Sequence, residues 1–186
     1  EVISTAFDVT DVSVGDFCAV EPYLNCGNCI ACRNGKTNCC TSLQVLGVHT
    51  DGGMRERIIV PANKLHVSKK LNLDQLALIE TLGIGAHAVD RAAVSARDNV
   101  LVFGAGPIGL TVIQFAKAAG ARVIVIDINQ DRLDFARKFL GADETVLAGE
   151  QSLSEVTDLT NGDLPTVVFD ATGNPESMMK SFEYVA

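Results

Sequence analysis

Two kinds of hydrophobic pattern divide the chain. Up to about residue 73, short apolar stretches between glycine-containing and polar turns predict β-strands at 17–21, 45–48 and 57–60. Several short strands at this spacing favour a small barrel or sandwich. Near Leu73 the apolar positions begin to recur at helical spacing, which predicts a helix capped by Asp74 and running to about Ala93. Gly83 and Gly85 are expected to break this helix or to allow close packing against it.

From residue 99 onwards, strands and helices alternate. The predicted strands are 100–103, 122–127, 144–147 and 166–170, and the helical patterns between them cover 107–119, 131–140 and 151–160. A β-α-β-α-β order predicts a parallel, doubly wound α/β sheet of the Rossmann type. We therefore predict a mostly-β domain over residues 1–80 and an α/β domain over residues 81–186.

Composition narrows the classes of function. Hydrophobic residues make up 47% of the 186, enough for packed cores, and no apolar run approaches the roughly 20 residues that span a bilayer. The formal net charge of −8 argues against a nucleic-acid backbone or an anionic membrane as a partner. The chain begins at Glu1, and nothing near it resembles a signal peptide. We expect a cytoplasmic protein, trimmed at its front end, whose partner is a small molecule.

A glycine-rich motif opens the α/β region. The segment Gly104-Ala-Gly-Pro-Ile-Gly109 fits G-x-G-x-x-G, directly follows an apolar strand and opens a helix. Glycines let the backbone approach a pyrophosphate, the helix N-terminus offers N–H donors, and Asp127 at the end of the next strand would accept from ribose hydroxyls. The predicted cofactor residues of this motif are Gly104, Gly106, Pro107, Ile108, Gly109 and Asp127. The alternative is a glycine turn in an unrelated α/β domain.

The residues around Asp127 favour NAD over NADP. A carboxylate there repels the 2′-phosphate of NADP, and Ile128, Asn129 and Gln130 offer no cation to bind it. Arg132 is the nearby cation that weakens this preference. We assign Arg132 to the cofactor site, although an arginine in such a position is more often solvated or stacked on adenine.

Five of the six cysteines fall between residues 26 and 40, a segment we call the cysteine lobe. Such crowding is typical of a metal site and not of a disulfide framework. Cys26, Cys29 and Cys32, together with Cys39 or Cys40, are predicted to hold one structural zinc in four thiolates. Unliganded reduced cysteines and an iron–sulfur cluster are the alternatives. Cys18, in a predicted strand, is expected to be a small core residue.

Together these motifs resemble the zinc-containing medium-chain alcohol dehydrogenases, especially the branch that acts on sorbitol and sugar acids. The resemblance runs in one order through 14–16, the cysteine lobe, 46–53, Ile79-Glu80, Gly85-Ala-His-Ala88, the glycine motif with Asp127, and 170–173. It implies a partial GroES-like domain with a structural-zinc lobe over 1–80 and a partial Rossmann NAD-binding domain over 81–186. It also points to Cys40 as the fourth zinc ligand and puts Thr172 on the cofactor side.

The resemblance further implies an activity, hydride transfer from a secondary alcohol of a polyol or sugar acid to NAD. In that family a second, catalytic zinc activates the alcohol, and of its ligands only a glutamate has a counterpart here, Glu80. We therefore expect the chain to be incomplete at both ends and inactive alone, and the complete enzyme to be a homodimer or homotetramer. Thr81, where the polyol branch usually has proline, leaves the substrate subgroup open. The alternative role for Glu80 is an ordinary buried salt bridge.

Two other functions compete with this one. A zinc-independent quinone or enone reductase of the same fold would usually lack the cysteine lobe and prefer NADP, so the lobe and Asp127 both count against it. A non-catalytic, nicotinamide-sensing binding module belongs to a different class. It would use the cysteine lobe to bind a protein partner and would oxidise no alcohol.

Overall fold

In the computed structural model, which describes residues 1–186, the chain divides into two units, Glu1–Glu80 and Thr81–Ala186. The first unit holds two short antiparallel sheets where the sequence suggested a barrel or sandwich. Strand β1 (Cys18–Val20) pairs with β4 (Leu65–Val67), and β2 (Tyr23–Leu24) pairs with β3 (Gln44–Val45). Helix α1 (Ile30–Arg33) and a 3₁₀ turn, Thr37–Cys39, lie between β2 and β3. No helix in the structure is both long and apolar enough to cross a membrane.

The strand predictions for the first unit are only partly confirmed. The prediction at 17–21 contains β1, whereas the one at 45–48 keeps only Val45, because the chain turns back at residues 46–50. The prediction at 57–60 is wrong. These β-branched residues have no neighbouring strand to pair with, and Ile59 is 100% exposed. An apolar run alone does not form a strand without a hydrogen-bonding partner.

A partly buried ion pair lies at the end of the β1–β4 sheet. Lys64 is only 7% exposed, and its Nζ lies 2.5 Å from Oε1 of Glu21, while the Glu21 backbone N–H donates to the Lys64 carbonyl. His66 Nε2 lies 3.3 Å from the other carboxylate oxygen of Glu21. Burial would raise the pKa of Glu21, but hydrogen bonds with Lys64 and His66 outweigh it, so that this pKa lies below its usual value.

The predicted helix from Leu73 is present but breaks at another residue. It forms α2 (Leu73–Ala77) and α3 (Ile79–Arg91), separated at Leu78, and the two glycines lie inside α3. Asn72, not Asp74, caps α2. Its side chain accepts from the Gln75 N–H at 2.9 Å, and the Gln75 side chain accepts from the Asn72 N–H at 3.0 Å. This reciprocal capping box satisfies two backbone donors at the start of the helix.

The second unit is a four-stranded parallel sheet with helices between its strands, as predicted. Its elements in chain order are β5 (Asn99–Phe103), α4 (Pro107–Ala118), β6 (Arg122–Asp127), α5 (Gln130–Leu140), β7 (Glu144–Leu147), α6 (Ser152–Leu159), β8 (Val167–Asp170) and α7 (Pro175–Ser181). The strand order is β7-β6-β5-β8, with every pair parallel. Helix α7 is an addition to the prediction.

Alternating side chains of the strands build one core on each face of the sheet. Val100, Val102, Val123 and Val125 point toward α4 and α5, while Leu101, Phe103, Ile124 and Ile126 pack with α6 and Tyr184. The ring of Tyr184 meets that of Phe103 edge-on, with centroids 4.9 Å apart. Burial on both faces explains why these strands read as continuous apolar runs.

The strand order also sets the place for a ligand. From β5 the chain moves through β6 to β7 on one side, and then crosses over to β8 on the other side of β5. The loops after β5 and β8 therefore leave the sheet in opposite directions. In open α/β sheets, this reversal opens a crevice at the carboxyl ends of the strands, where ligands bind.

Candidate zinc centre and dinucleotide cleft

Four cysteines of the cysteine lobe converge on one point. The sulfur atoms of Cys26, Cys29, Cys32 and Cys40 all lie within 4.8 Å of one another. Cys32 Sγ lies 3.5 Å from Cys29 Sγ and 4.0 Å from Cys26 Sγ. Tetrahedral zinc with Zn–S bonds of about 2.3 Å would space its sulfurs by roughly 3.8 Å. The donor set and its spacing therefore fit one zinc ion.

Backbone N–H groups point at these sulfurs. Cys26 Sγ accepts from the N–H groups of Asn28 and Cys29, each at 3.4 Å, because the chain turns tightly through Gly27. Cys40 Sγ accepts from the N–H groups of Cys26 at 3.3 Å and Ser42 at 3.4 Å. Such donors spread the negative charge that four thiolates carry around a metal.

The same contacts favour the thiolate at two of the four positions. The N–H groups of Asn28 and Cys29 lower the pKa of Cys26. The Cys32 N–H is the largest cause that lowers the pKa of Cys29, to about 5. Desolvation raises the pKa of Cys32. Zinc binds the thiolate form, so the backbone N–H groups favour the metal-binding form of Cys26 and Cys29.

The structure distinguishes the two adjacent cysteines that spacing left open. Cys40 is 8% exposed and belongs to the convergent group, whereas Cys39 is exposed and lies outside it. Arg33 donates to the Asn28 carbonyl, which holds the turn that carries the Cys26 ligand. Cys18 is half-buried in β1 and does not join the group.

Glu80 lies in the first turn of α3 and has a tyrosine as its partner. The Tyr23 hydroxyl donates to Glu80 Oε1 at 2.6 Å, across 57 residues of sequence. This hydrogen bond, more than desolvation, raises the pKa of Tyr23 to about 12. Glu80 takes part in none of the ion pairs within residues 1–186, where its side-chain partner is the Tyr23 hydroxyl. The sequence gave no sign of Tyr23, because nothing in the pattern brings β2 and α3 together.

The glycine-rich turn between β5 and α4 contains three glycines, and each lacks a side chain for a different structural reason. Gly104 has φ +91°, and a Cβ there would lie 3.2 Å from the Ala171 backbone. A Cβ on Gly109 would lie 1.8 Å from the Gly104 carbonyl oxygen, so this glycine lets α4 start directly against the turn. A Cβ on Gly106 would meet no atom within 4 Å, which leaves open space above the N-terminus of α4.

Asp127 ends β6 beneath this turn. Its side chain is 6% exposed, and its Oδ2 accepts from the Ala105 N–H at 2.6 Å. Its Oδ1 accepts from the Asn129 N–H at 2.8 Å. The carboxylate predicted to bind ribose hydroxyls thus already accepts hydrogen bonds from two backbone N–H groups.

A cleft of about 530 Å³ lies at the carboxyl ends of the strands, and we call it the dinucleotide cleft. This volume is typical of a small-molecule site. Six of the eight predicted cofactor residues line it: Gly104, Gly106, Pro107, Asp127, Arg132 and Thr172. Ile108 and Gly109, the second and third residues of α4, do not line it.

Sequence reasoning missed the wall of the cleft that α7 provides. Ser177 and Lys180 of α7 line this wall together with Tyr184 of the 3₁₀ turn that follows it, and Asp170 fixes the start of α7 by accepting from the Ser177 hydroxyl at 2.6 Å. A signal was present. Asn174 followed by proline is typical of a helix start, and the Asn174 side chain accepts from the N–H groups of the first turn.

Both units match known protein families. Residues 1–70 match a model described as alcohol dehydrogenase GroES-like domain, and residues 107–186 match one described as zinc-binding dehydrogenase. L-galactonate-5-dehydrogenase of Escherichia coli strain K12 is 38% identical, over 96% of this chain and 52% of that protein. L-threonine 3-dehydrogenase of Bacillus licheniformis is 36% identical, over 100% of this chain and 54% of that protein. The chain spans about half the length of the curated relatives it matches.

Solved structures agree with these matches. A short chain alcohol dehydrogenase from E. coli CFT073, solved with its cofactor NADH, has a TM-score of 0.89 at 34% identity, covering 98% of this chain and 55% of that one. Galactitol-1-phosphate dehydrogenase from E. coli has a TM-score of 0.89 at 29% identity, covering 99% of this chain and 55% of that one. The predicted fold class, a partial Rossmann sheet preceded by a GroES-like portion, is thereby confirmed.

Proposed function

Since the chain belongs to the zinc-binding alcohol dehydrogenase family with a GroES-like domain, we propose that the protein is a zinc-dependent oxidoreductase that transfers a hydride from a secondary alcohol to NAD. The dinucleotide cleft is the observation that carries this proposal. Its glycine turn, the free N-terminus of α4 and the buried Asp127 meet where the strand order reverses. That combination suits a pyrophosphate linked to a ribose.

We assign the cofactor NAD to the residues predicted from the sequence. Gly104, Gly106, Pro107, Ile108 and Gly109 would present the turn and the N–H groups of α4 to the pyrophosphate. Asp127 would keep out a 2′-phosphate, because its buried carboxylate has no cation within ion-pair distance. Arg132 and Thr172, on opposite walls of the cleft, would contact the adenosine half.

We assign a structural zinc to Cys26, Cys29, Cys32 and Cys40. Four convergent thiolates saturate a tetrahedral ion and leave no position for substrate. The cysteine lobe is also the reason to prefer a dehydrogenase to the zinc-independent reductase. Thiolates of this kind stay reduced in the cytoplasm, which is the compartment we propose.

The chemistry needs a further metal that this chain does not hold by itself. No second group of three or more histidine, cysteine or acidic side chains converges within the 186 residues. A catalytic zinc would supply Lewis-acid polarisation of the alcohol oxygen, and NAD would accept the hydride. From this chain we assign only Glu80 to that metal site, with the Tyr23 hydroxyl fixing one of its carboxylate oxygens.

The substrate that we propose is a secondary alcohol of a polyol or sugar acid. The names of the similar proteins include L-galactonate-5-dehydrogenase, galactitol-1-phosphate dehydrogenase and L-threonine 3-dehydrogenase, so their substrates are hydroxylated compounds of low mass. We propose a homodimer or homotetramer for the complete enzyme, to be measured by light scattering after gel filtration. The 186-residue chain alone is expected to give no turnover.

The test is NADH formation by the full-length protein with a panel of alcohols, polyols and aldonates, in parallel with NADP. We expect absorbance at 340 nm to rise with NAD and secondary alcohols, to stop after zinc chelation and to return when zinc is restored. A protein that binds zinc but oxidises no alcohol in the panel would contradict the proposal and favour the nicotinamide-sensing module.

The assignment of Glu80 has its own test in the full-length protein. Glu80→Ala should lower kcat/KM about tenfold or more and reduce the zinc content, because it removes a ligand or a near neighbour of the metal. Glu155→Ala, a substitution of an exposed acidic residue on α6 that does not line the dinucleotide cleft, is the control for the loss of one negative charge. Full activity and full zinc content in Glu80→Ala would show that the assignment is wrong.

A further inference from the structure

Asp127 is a buried acidic residue whose two carboxylate oxygens each accept from a backbone N–H group. It is 6% exposed, and no lysine, arginine or histidine forms an ion pair with it. The Ala105 N–H donates to one carboxylate oxygen at 2.6 Å, and the Asn129 N–H donates to the other at 2.8 Å. Burying an unpaired carboxylate is costly, so these two hydrogen bonds are what makes its position tolerable.

The two donors belong to two different loops of the dinucleotide cleft. Ala105 is the middle of the glycine turn, directly before the N-cap of α4, and Asn129 is the N-cap of α5. We call Asp127 with these two hydrogen bonds the Asp127 clip. The clip connects both loops to the end of β6. A third hydrogen bond, from the Gly104 N–H to the Ile126 carbonyl at 2.7 Å, connects the glycine turn to the same strand.

The next amide along the turn is in a different situation. The Gly106 N–H has no acceptor in the chain, and the space beside Gly106 is open. The clip thus pairs the Ala105 N–H inside the protein, while the following N–H stays unpaired in a residue that lines the cleft. An anion on the turn would meet the amide that the protein has left unpaired.

We propose that Asp127 is a positioning residue, which shapes the glycine turn for a phosphate group independently of any contact with a ribose hydroxyl. This inference rests on the proposed function only in naming the phosphate as part of a dinucleotide. It differs from the ribose-binding role expected from the sequence, because it acts on the pyrophosphate through the turn.

Hydrogen exchange resolved at single amides tests the clip without any ligand. In the unsubstituted protein, the Ala105 amide should exchange at least about tenfold more slowly than the Gly106 amide. Asp127→Asn keeps the size of the side chain but turns an NH₂ group toward one of the two donors. It should accelerate exchange at Ala105 about tenfold or more. An Ala105 amide that exchanges as fast as Gly106 in the unsubstituted protein would overturn the proposal, whether or not the variant folds.

Nucleotide binding separates the positioning role from a purely ribose-binding one. The probes are ADP and 2′,3′-dideoxy-ADP, which lacks both ribose hydroxyls, titrated by calorimetry. Asp127→Asn should weaken both nucleotides by the same factor, about tenfold, because the turn that receives their phosphates is disturbed. Loss of affinity for ADP with unchanged affinity for the dideoxy nucleotide would overturn the proposal.

Asp143→Asn is the matched control. Asp143 lies just before β7, and its carboxylate also accepts from a backbone N–H, that of Val123 at 2.6 Å, at the amino end of β6. This variant should accelerate exchange at Ala105 by no more than its measured loss of overall stability accounts for, and it should leave both affinities unchanged. If the unsubstituted protein binds neither nucleotide, the cofactor assignment and the phosphate-receiving role of the turn both fall. The exchange measurement then still decides whether the clip exists.

Discussion

Cys40 and Cys39 are neighbours in sequence with opposite surroundings. Cys40 is buried, and its sulfur accepts from two backbone N–H groups of the cysteine lobe, while Cys39 ends a 3₁₀ turn with its side chain exposed. A zinc ligand needs both convergence with the other sulfurs and donors that stabilise its charge. Only Cys40 has both.

Exchanging these two cysteines for serine one at a time tests the zinc assignment. Cys39→Ser should retain the zinc content of the unsubstituted protein, because its sulfur is no ligand. Cys40→Ser should contain about one zinc fewer per chain and melt at a lower temperature, since metal binding contributes to folding free energy. Elemental analysis of both variants gives the answer. Retention of zinc in Cys40→Ser and its loss in Cys39→Ser would contradict the assignment.

The convergence of the cysteines is the part of the candidate site that spacing along the chain could predict. The spacing of Cys26, Cys29 and Cys32 already indicates a metal site, because such steps bring sulfurs to one point. Contacts between residues far apart in the sequence could not be predicted. The bond from Tyr23 to Glu80 depends on how β2 meets the start of α3, and sequence periodicity carries no information on that meeting.

At the scale of elements, the contact between α3 and α4 depends on one glycine. A Cβ on Gly85 would lie 2.3 Å from Thr111 Oγ1 and 2.7 Å from the Thr111 backbone carbon, so α3 and α4 approach too closely for a side chain. A Cβ on Gly83, two residues earlier in α3, would meet no atom within 4 Å. The close approach of α3 and α4 therefore requires a glycine at position 85 but not at position 83.

Alanine at each of these positions should change stability in opposite directions. Gly85→Ala should lower the free energy of unfolding by about 1–3 kcal/mol, because backbone and not only a side chain must move. Gly83→Ala should raise it by up to about 1 kcal/mol, since alanine favours a helix and finds open space. Urea denaturation of both variants measures the difference. Equal stability of the two variants would contradict the close contact between the helices.

The predictability of elements follows from how much each depends on its neighbours. Strands β6 and β7 have the predicted bounds because their apolar side chains are buried on a sheet between two helical layers. The segment 57–60 has a similar composition but no partner strand, so the strand predicted there does not form. The break at Leu78 lies between two helices whose apolar pattern is continuous, and periodicity does not reveal it.

At the scale of the whole molecule, stability depends on pH through carboxylates that form ion pairs and hydrogen bonds only in the folded state. Burial would raise the pKa of Asp143, but Lys117 at 2.7 Å and the Val123 N–H outweigh it and hold the pKa below its usual value. A group with a lowered folded pKa stabilises the protein fully above its unfolded pKa, and this stability is lost as pH falls through the folded pKa. Acid should therefore weaken the second unit below about pH 4.

Asp143→Asn should show this dependence as a difference. At pH 7 the variant should be less stable by on the order of 1 kcal/mol, since the bonds from Val123 and Lys117 weaken. As pH falls below about 4, Asp143 becomes protonated in the unsubstituted protein as well, and the gap between the two proteins should narrow. Melting temperatures from pH 3 to 8 measure it. A gap that widens toward acid pH would contradict the direction of the pKa shift.

Hydride transfer from the alcohol carbon to NAD is the central claim, and isotope transfer measures it most directly. The full-length protein would be given NAD and secondary alcohols that carry deuterium on the alcohol carbon, in ordinary water, and the reduced cofactor would be analysed by mass spectrometry. We predict one deuterium in each NADH molecule formed, because the hydride passes without exchange with solvent. NADH without deuterium, or no NADH with any of the alcohols, would contradict the claim.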